Sequence, residues 1–321
     1  MSHSSDRHRH DIHGWQRWSL HNGNRADSVP SLVIVFNPVA GRRRTSLLWR
    51  VLDVLVANGV RLEVVETRCA GHAASLARDA AARGEPMVVA AGGDGTIAEV
   101  ASGLLGTGAR LGVIPLGTAN VLAHELALPF DPRAVAAALA FGRTRMVWPG
   151  LARSAGGTRL FVQMLGVGFD AQVVHRLSIP MKRAFGRGAY VIQTVVEALF
   201  YRSGPIVVRV DGVEREAASL IITKGRFYAG PYLLAREADP TEPGFSVVLF
   251  RRGGTGPALL YGAMLPLDLL WRAPWVHHLR ARHIDIPGSA AVPVHADGDP
   301  AGCTPQTVTD APGPIAIVIG G

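Results

Sequence analysis

Met87-Val88-Val89-Ala90-Ala91-Gly92-Gly93-Asp94-Gly95-Thr96 joins an apolar run to a glycine-rich turn. Five apolar residues in a row suit a strand buried on both faces, as in a parallel sheet covered by helices on each side. The run ends in three glycines within four positions and passes into the helical pattern Ile97 to Leu105. Glycines at a strand-to-helix turn free backbone N–H groups to cradle a phosphate, and the lone carboxylate among them, Asp94, can hold a magnesium ion. The competing reading is a tight Gly-Asp turn in which Asp94 caps the helix.

The same design recurs on either side. Leu32 to Phe36 runs into Asn37-Pro38-Val39-Ala40-Gly41 and three arginines, then into the helical pattern Thr45 to Ala57. Leu111 to Ile114 runs into Pro115-Leu116-Gly117-Thr118-Ala119-Asn120, where Thr118 and Asn120 offer uncharged hydrogen-bonding groups. A further strand, Arg61 to Glu66, precedes the helical pattern His72 to Ala82. Strands alternating with helices predict an α/β fold with a doubly wound parallel sheet. Ligands of such sheets sit at the carboxyl ends of strands, against helix N-termini. Three strand ends aimed at one crevice predict a nucleotide site.

Beyond Pro149 the texture changes to short strands punctuated by glycine and proline: Leu160 to Leu165, Ile206 to Val210, Ser219 to Thr223, Phe245 to Phe250 and Ile315 to Ile319. That pattern predicts an antiparallel, sandwich-like half, interrupted by helical runs at Tyr190 to Tyr201 and Ala258 to Leu270. The expected division is a His-rich disordered tail over 1–30, a nucleotide-binding domain over 31–145 and a β-rich domain over 146–321. Gly166-Val167-Gly168-Phe169-Asp170-Ala171 matches the dinucleotide fingerprint superficially. Its antiparallel setting, with no acidic residue about 20 positions on, favours a tight turn lining the cleft. Asp170 is then either a substrate contact or a helix cap.

The order NPxxG, GGDGT, GTAN, followed by GxGFDA and the His295-Ala296-Asp297-Gly298-Asp299 run, resembles the diacylglycerol kinase catalytic domain family. Bacterial lipid kinases and, more distantly, sphingosine and ceramide kinases belong there. The resemblance covers nearly the whole chain from Ser31 and implies an active site between the two halves. It implies ATP as donor with Mg2+, and as acceptor a lipid alcohol such as diacylglycerol reached at the membrane surface. Carried over by position, it puts Asn37, Gly41 and Thr67 beside the nucleotide, and Gly92, Gly93, Asp94, Gly95, Thr96, Gly117, Thr118 and Asn120 around the phosphates. Asp170 and Asp297 become candidate lipid-headgroup contacts. Glu99 either positions the loop or the metal, or is a solvated helix charge. Asp299 stands where the family has a glutamate general base, one methylene shorter. Asp94 is assigned to metal and phosphate and Asp299 to proton abstraction, with the two roles open to exchange. Many bacterial members also carry aspartates for a structural metal in the stretch that here reads Ala235 to Ser246. Pro243 and Ser246 replace them, so that metal is not expected.

Composition sets outer bounds. In 321 residues, 48% are hydrophobic and 18% charged, enough for two domains with cores. A formal charge of +8 favours anionic partners. No aromatic-basic stripe or known module supports nucleic acid. Cys69 and Cys303 form no CxxC pair, as suits a reducing compartment. His3, His8, His10, His13 and His21 lie in a polar stretch without the apolar core of a secretory signal. Pro257 to Trp271 is apolar but too short to span a bilayer, and reads as a core or interfacial helix. A cytoplasmic protein, peripheral at the inner membrane, is expected. The basic and apolar run Met181 to Arg187 is read as membrane docking or as a solvated helix end. A homodimer stays open, as do two rival functions: an NAD kinase-like enzyme and a non-catalytic nucleotide or lipid sensor.

Overall fold

The computed structural model describes residues 31–40, 45–176, 204–288 and 291–320. The expected tail, Gly41, Met181 to Arg187 and Tyr190 to Tyr201 lie outside the described residues. Four strands alternate with helices at the start: β1 (Ser31–Phe36), α1 (Thr45–Ala57), β2 (Arg61–Glu66), α2 (His72–Ala82), β3 (Met87–Gly92), α3 (Asp94–Leu104) and β4 (Arg110–Pro115). The short helix α4 (Val121–Glu125) and then α5 (Pro132–Phe141) follow.

The order β2-β1-β3-β4 is parallel throughout, and every residue of β3 is buried. The sheet is doubly wound, as expected. β2 is its edge, which accounts for the charges Arg61, Glu63 and Glu66 in a strand otherwise of core type. One expectation fails: Ile315–Ile319 does not join the antiparallel half. It lies parallel to β4 and antiparallel to Arg143–Val147, extending the first sheet to six strands. Its isoleucines enter the core shared with α2 and α3, so the chain end returns to the half where it began.

The rest forms two six-stranded antiparallel sheets face to face, beside a small two-stranded pair of Phe227–Tyr228 with Tyr232–Leu233. Phe161, Leu165, Val208, Phe245, Val247, Ile284 and Val308, drawn from both, make one core. The expected strand Leu160 to Leu165 is two strands, Gly157–Phe161 and Met164–Val167. The break has a local cause: the N–H groups of Val162 and Gln163 turn to the Asp297 carboxylate rather than to a ladder. Ala258 to Leu270 is α-helical only as part of Thr255–Met264, after which Pro266 precludes continuation and a 3-10 turn forms over Leu270–Arg272. Among the described residues, no helix is long and apolar enough to cross a membrane.

Candidate active site

Two glycine-bearing turns meet at the carboxyl end of the parallel sheet. A Cβ on Gly117 would stand 2.6 Å from the Cα of Gly93. Only glycines permit this approach. Gly92 serves packing: a Cβ there would collide with the Thr96 side chain. The Asn37 amide donates to Thr96 Oγ1 at 3.0 Å while its Oδ1 accepts from the N–H groups of Val39 and Ala40. The β1 turn is thereby fixed to the start of α3, whose first-turn N–H groups have no partner within the helix.

Asp94 and Glu99, both on α3, each clasp the start of a different helix. The Asp94 carboxylate accepts from the N–H groups of Val121 and Leu122, both at 3.1 Å, and so caps α4. Burial raises its pKa, and the nearby Asp299 charge adds to the rise. The cap anticipated for Asp94 exists, but on a helix 27 residues further along, not on its own. Glu99 accepts from Gly71 and Ala73 at 2.8 and 3.2 Å and anchors α2, while it also lines the cavity that the phosphate turn borders. Asn120, left-handed at φ 48°, donates to the Gly117 carbonyl at 2.9 Å and sets the turn that leads into α4.

From α4 a chain of contacts crosses into the sandwich. Glu125, 5% exposed, accepts from the N–H groups of Arg226 and Phe227 and from the Arg226 guanidinium. The next residue, Tyr228, donates its hydroxyl proton to Asp170, whose other oxygen meets His295 Nε2 at 2.5 Å. His295 Nδ1 accepts from the Gly298 N–H at 3.3 Å. Burial alone would raise Asp170, but His295 and Tyr228 hold it below the usual carboxylate range. Gly166 leaves the room this pair needs, since a Cβ there would lie 2.3 Å from His295 Nε2.

The circuit closes on Asp299. Its carboxylate rests on Gly95, where a Cβ would fall 1.9 Å from Asp299 Oδ2. Its side chain is 47% exposed, and Arg159 stands 3.8 Å away. Asp297 points elsewhere: its carboxylate accepts from Val162, Gln163 and Met164 at 2.7 to 2.9 Å. Burial pushes its pKa up to about 7 against these donors. Asp297 nevertheless lines the cavity, with those three N–H groups already on its oxygens.

Asp94, Asp170, Tyr228, His295 and Asp299 border one cavity of about 1730 Å³ running between the halves. Asn37, Thr67, Gly93, Asp94, Gly95, Thr96, Gly117 and Thr118 line one end, with Asp299 at the junction. Phe169, Val173, Ile221, Leu234, Phe250, Leu259 and Leu265 line the other. Gly92 and Asn120 stand behind the wall. Sequence reading missed Tyr228, His295, Glu125 and Arg159. Only His295 left a trace, inside the very run that holds Asp297 and Asp299.

The profile of the diacylglycerol kinase catalytic domain matches residues 31–150, and that of the YegS C-terminal NAD kinase beta sandwich-like domain matches residues 163–319. A Pseudomonas aeruginosa relative named "Probable lipid kinase YegS-like" is 30% identical over 240 residues, covering 72% of this chain and 75% of the relative. The chain belongs to the diacylglycerol kinase catalytic domain family. A diacylglycerol kinase from Mycobacterium tuberculosis is 29% identical over 308 residues, 92% of this chain and 96% of the relative. A solved Bacillus anthracis structure shares the fold with a TM-score of 0.72 at 21% identity, over 93% of this chain and 98% of that one.

Within this lipid kinase family, the chain treats the implied structural metal differently. Lys224 Nζ, fully buried, donates to the carbonyls of Glu242 and Gly244 at 3.2 and 2.6 Å and to Asp310 at 2.8 Å. These carbonyls flank Pro243. Oxygen donors that would suit a hard cation are taken by an ammonium group. Burial lowers the pKa of Lys224, and Asp310 opposes the fall. Among the described residues, no three His, Cys, Asp or Glu side chains converge as a metal site. The residues do not fit a resident structural metal.

Proposed function

We propose that the protein transfers the γ-phosphoryl group of ATP to a hydroxyl of a lipid alcohol, diacylglycerol or a near relative. One observation carries this reading: the cavity passes without interruption from glycine turns at the parallel sheet, past a half-exposed carboxylate, to an apolar wall in the sandwich. The α/β half, to which the strand Ile315–Ile319 returns, then holds the nucleotide and the sandwich the acceptor.

The phosphates lie against the N–H groups of the Gly93 to Thr96 turn and beside Thr118, where the open end of α3 favours negative charge. Asp94 or Asp299 would hold a magnesium ion arriving with the nucleotide, and that ion would supply neutralisation of charge on the transferred group. Asp299 is the base. It takes the proton from the acceptor hydroxyl as that oxygen bonds to the γ-phosphorus, and the bond from that phosphorus to the bridging oxygen breaks to release ADP. Asp94 positions the two turns by capping α4, because both of its oxygens already accept N–H groups. Apolar side chains beyond Asp170 take up the acyl chains.

The test is transfer of labelled γ-phosphate from ATP to a panel of lipid alcohols in mixed micelles. Labelled phospholipid from one class names the acceptor. ATP binding without transfer to any lipid alcohol contradicts the proposal and favours a sensor.

A further inference from the structure

The helix Thr255–Met264 breaks the usual rule for a surface helix. Its sequence, Thr-Gly-Pro-Ala-Leu-Leu-Tyr-Gly-Ala-Met, holds no charge, yet none of its residues is fully buried. A helix apolar on all sides belongs in a core or in lipid. Leu259 and Leu260 are 44% and 43% exposed, and the turn that follows presents Leu267 at 66% and Trp271 at 42%. Such a continuous apolar patch marks a binding surface.

Its surroundings say what for. The run from Arg251 to Trp275 contains three arginines against one aspartate. That aspartate, Asp268, is paired with Arg236. Arg236 and Arg272 lie over the Trp271 ring at 4.5 and 4.8 Å, and Arg252 over Trp275 at 4.1 Å. Tryptophan and arginine rimming an apolar patch are the groups that sit at the headgroup level of a bilayer. A second copy of the chain would bring this positive rim against another, whereas anionic headgroups neutralise it. The patch also adjoins the cavity, because Ala258, Leu259, Tyr261 and Leu265 line its apolar end.

We propose that the segment from Arg251 to Trp275 is the surface that docks on an anionic lipid bilayer and sets the apolar end of the cleft against it. Leu260, Leu267 and Trp271 enter the interface and the arginines meet the headgroups, so that an acceptor enters without crossing water. The choice of a bilayer rests on the reading of the cleft as a lipid site, but docking is measured without turnover.

The test is co-sedimentation of the full chain with vesicles of equimolar phosphatidylglycerol and phosphatidylcholine. Leu260→Ser with Leu267→Ser should lower binding by about tenfold or more, and Arg251→Gln with Arg272→Gln by about fivefold per arginine, with the deficit shrinking at high salt. Val56→Ser with Val213→Ser, exposed apolar positions elsewhere, should leave binding unchanged. Melting temperature and turnover of a monomeric short-chain acceptor should hold in the Leu260 and Leu267 variant. Vesicle binding that survives these changes, binding lost equally in the control pair, or loss of self-association in place of vesicle binding each overturns the proposal. Vesicle binding that depends on these residues in a protein that phosphorylates no lipid would uphold docking and refute the kinase reading alone.

Discussion

Asp94 and Asp297 are both carboxylates clasped by backbone N–H groups beside the same cleft, yet they are built on opposite scales of sequence. Asp94 reaches residues 27 and 28 positions away, within one βαβ neighbourhood. Asp297 reaches 133 to 135 positions back, tying the end of the chain to the first strands of the sandwich. In the α/β half the carboxylate is clasped within one short stretch of sequence. In the sandwich it is clasped only once distant strands have met.

The comparison can be broken most severely at Lys224, whose partner Asp310 lies 86 positions away. Lys224→Met leaves Asp310 and two carbonyls without their donor, and should cost about 3 kcal/mol, the low end for a broken buried ion pair. Thermal unfolding should shift down by several degrees, and nucleotide affinity should hold, because the loss falls on the sandwich. A chelator should leave the melting temperature of the wild type unchanged, since an ammonium group fills the place a metal would take; a clear drop would show a resident ion.

Gly95→Ala attacks the meeting of the two halves at one atom. A methyl group there displaces the Asp299 carboxylate, since 1.9 Å is far inside contact. Misplacing a reacting group by about 1 Å costs on the order of 10²-fold in rate. The fall should appear in kcat, with the fold retained by circular dichroism. An unchanged kcat would show that Asp299 need not lie where it does.

The smallest effect is a slope. Folding raises Asp297 from 3.8 to about 7, so the native state holds the extra proton between these values. Its contribution to stability is full below about pH 4 and is lost as pH rises through about 7. Melting temperature should therefore decline from pH 5 to pH 8 in the wild type and decline less in Asp297→Asn. Asp170, whose pKa is lowered, acts only at more acid pH and leaves this window untouched. Equal slopes in the two proteins would remove Asp297 as the cause.

What could be read in advance follows the same division. The apolar run Met87 to Ala91 and the glycines after it announce β3 and the phosphate turn, because burial on both faces and positional need for glycine are local properties. Thr45–Ala57 and His72–Ala82 were likewise legible from periodicity. Ile315–Ile319 was legible as a strand but not as a member of the first sheet, since its alternation is the same in either place. Tyr228 and His295 carry no local mark of their pairing with Asp170, 58 and 125 positions away. Nothing near Glu99 in the sequence marks its bond to the Gly71 turn, 28 residues upstream. Patterns that depend on a neighbour in space leave only a residue type behind.

In the proposed mechanism Asp299 takes the proton while Asp94 holds the turns in place. Single-turnover transfer of labelled phosphate from saturating ATP to dispersed diacylglycerol, in the wild type, Asp299→Asn and Asp94→Asn, tests it most directly. The account predicts that Asp299→Asn slows the chemical step by about 10² to 10⁴ with nucleotide affinity and melting temperature preserved, whereas Asp94→Asn loses nucleotide affinity and stability together with rate. A normal rate in Asp299→Asn, beside an Asp94→Asn that binds ATP normally and fails only in the chemical step, would contradict it and exchange the two roles.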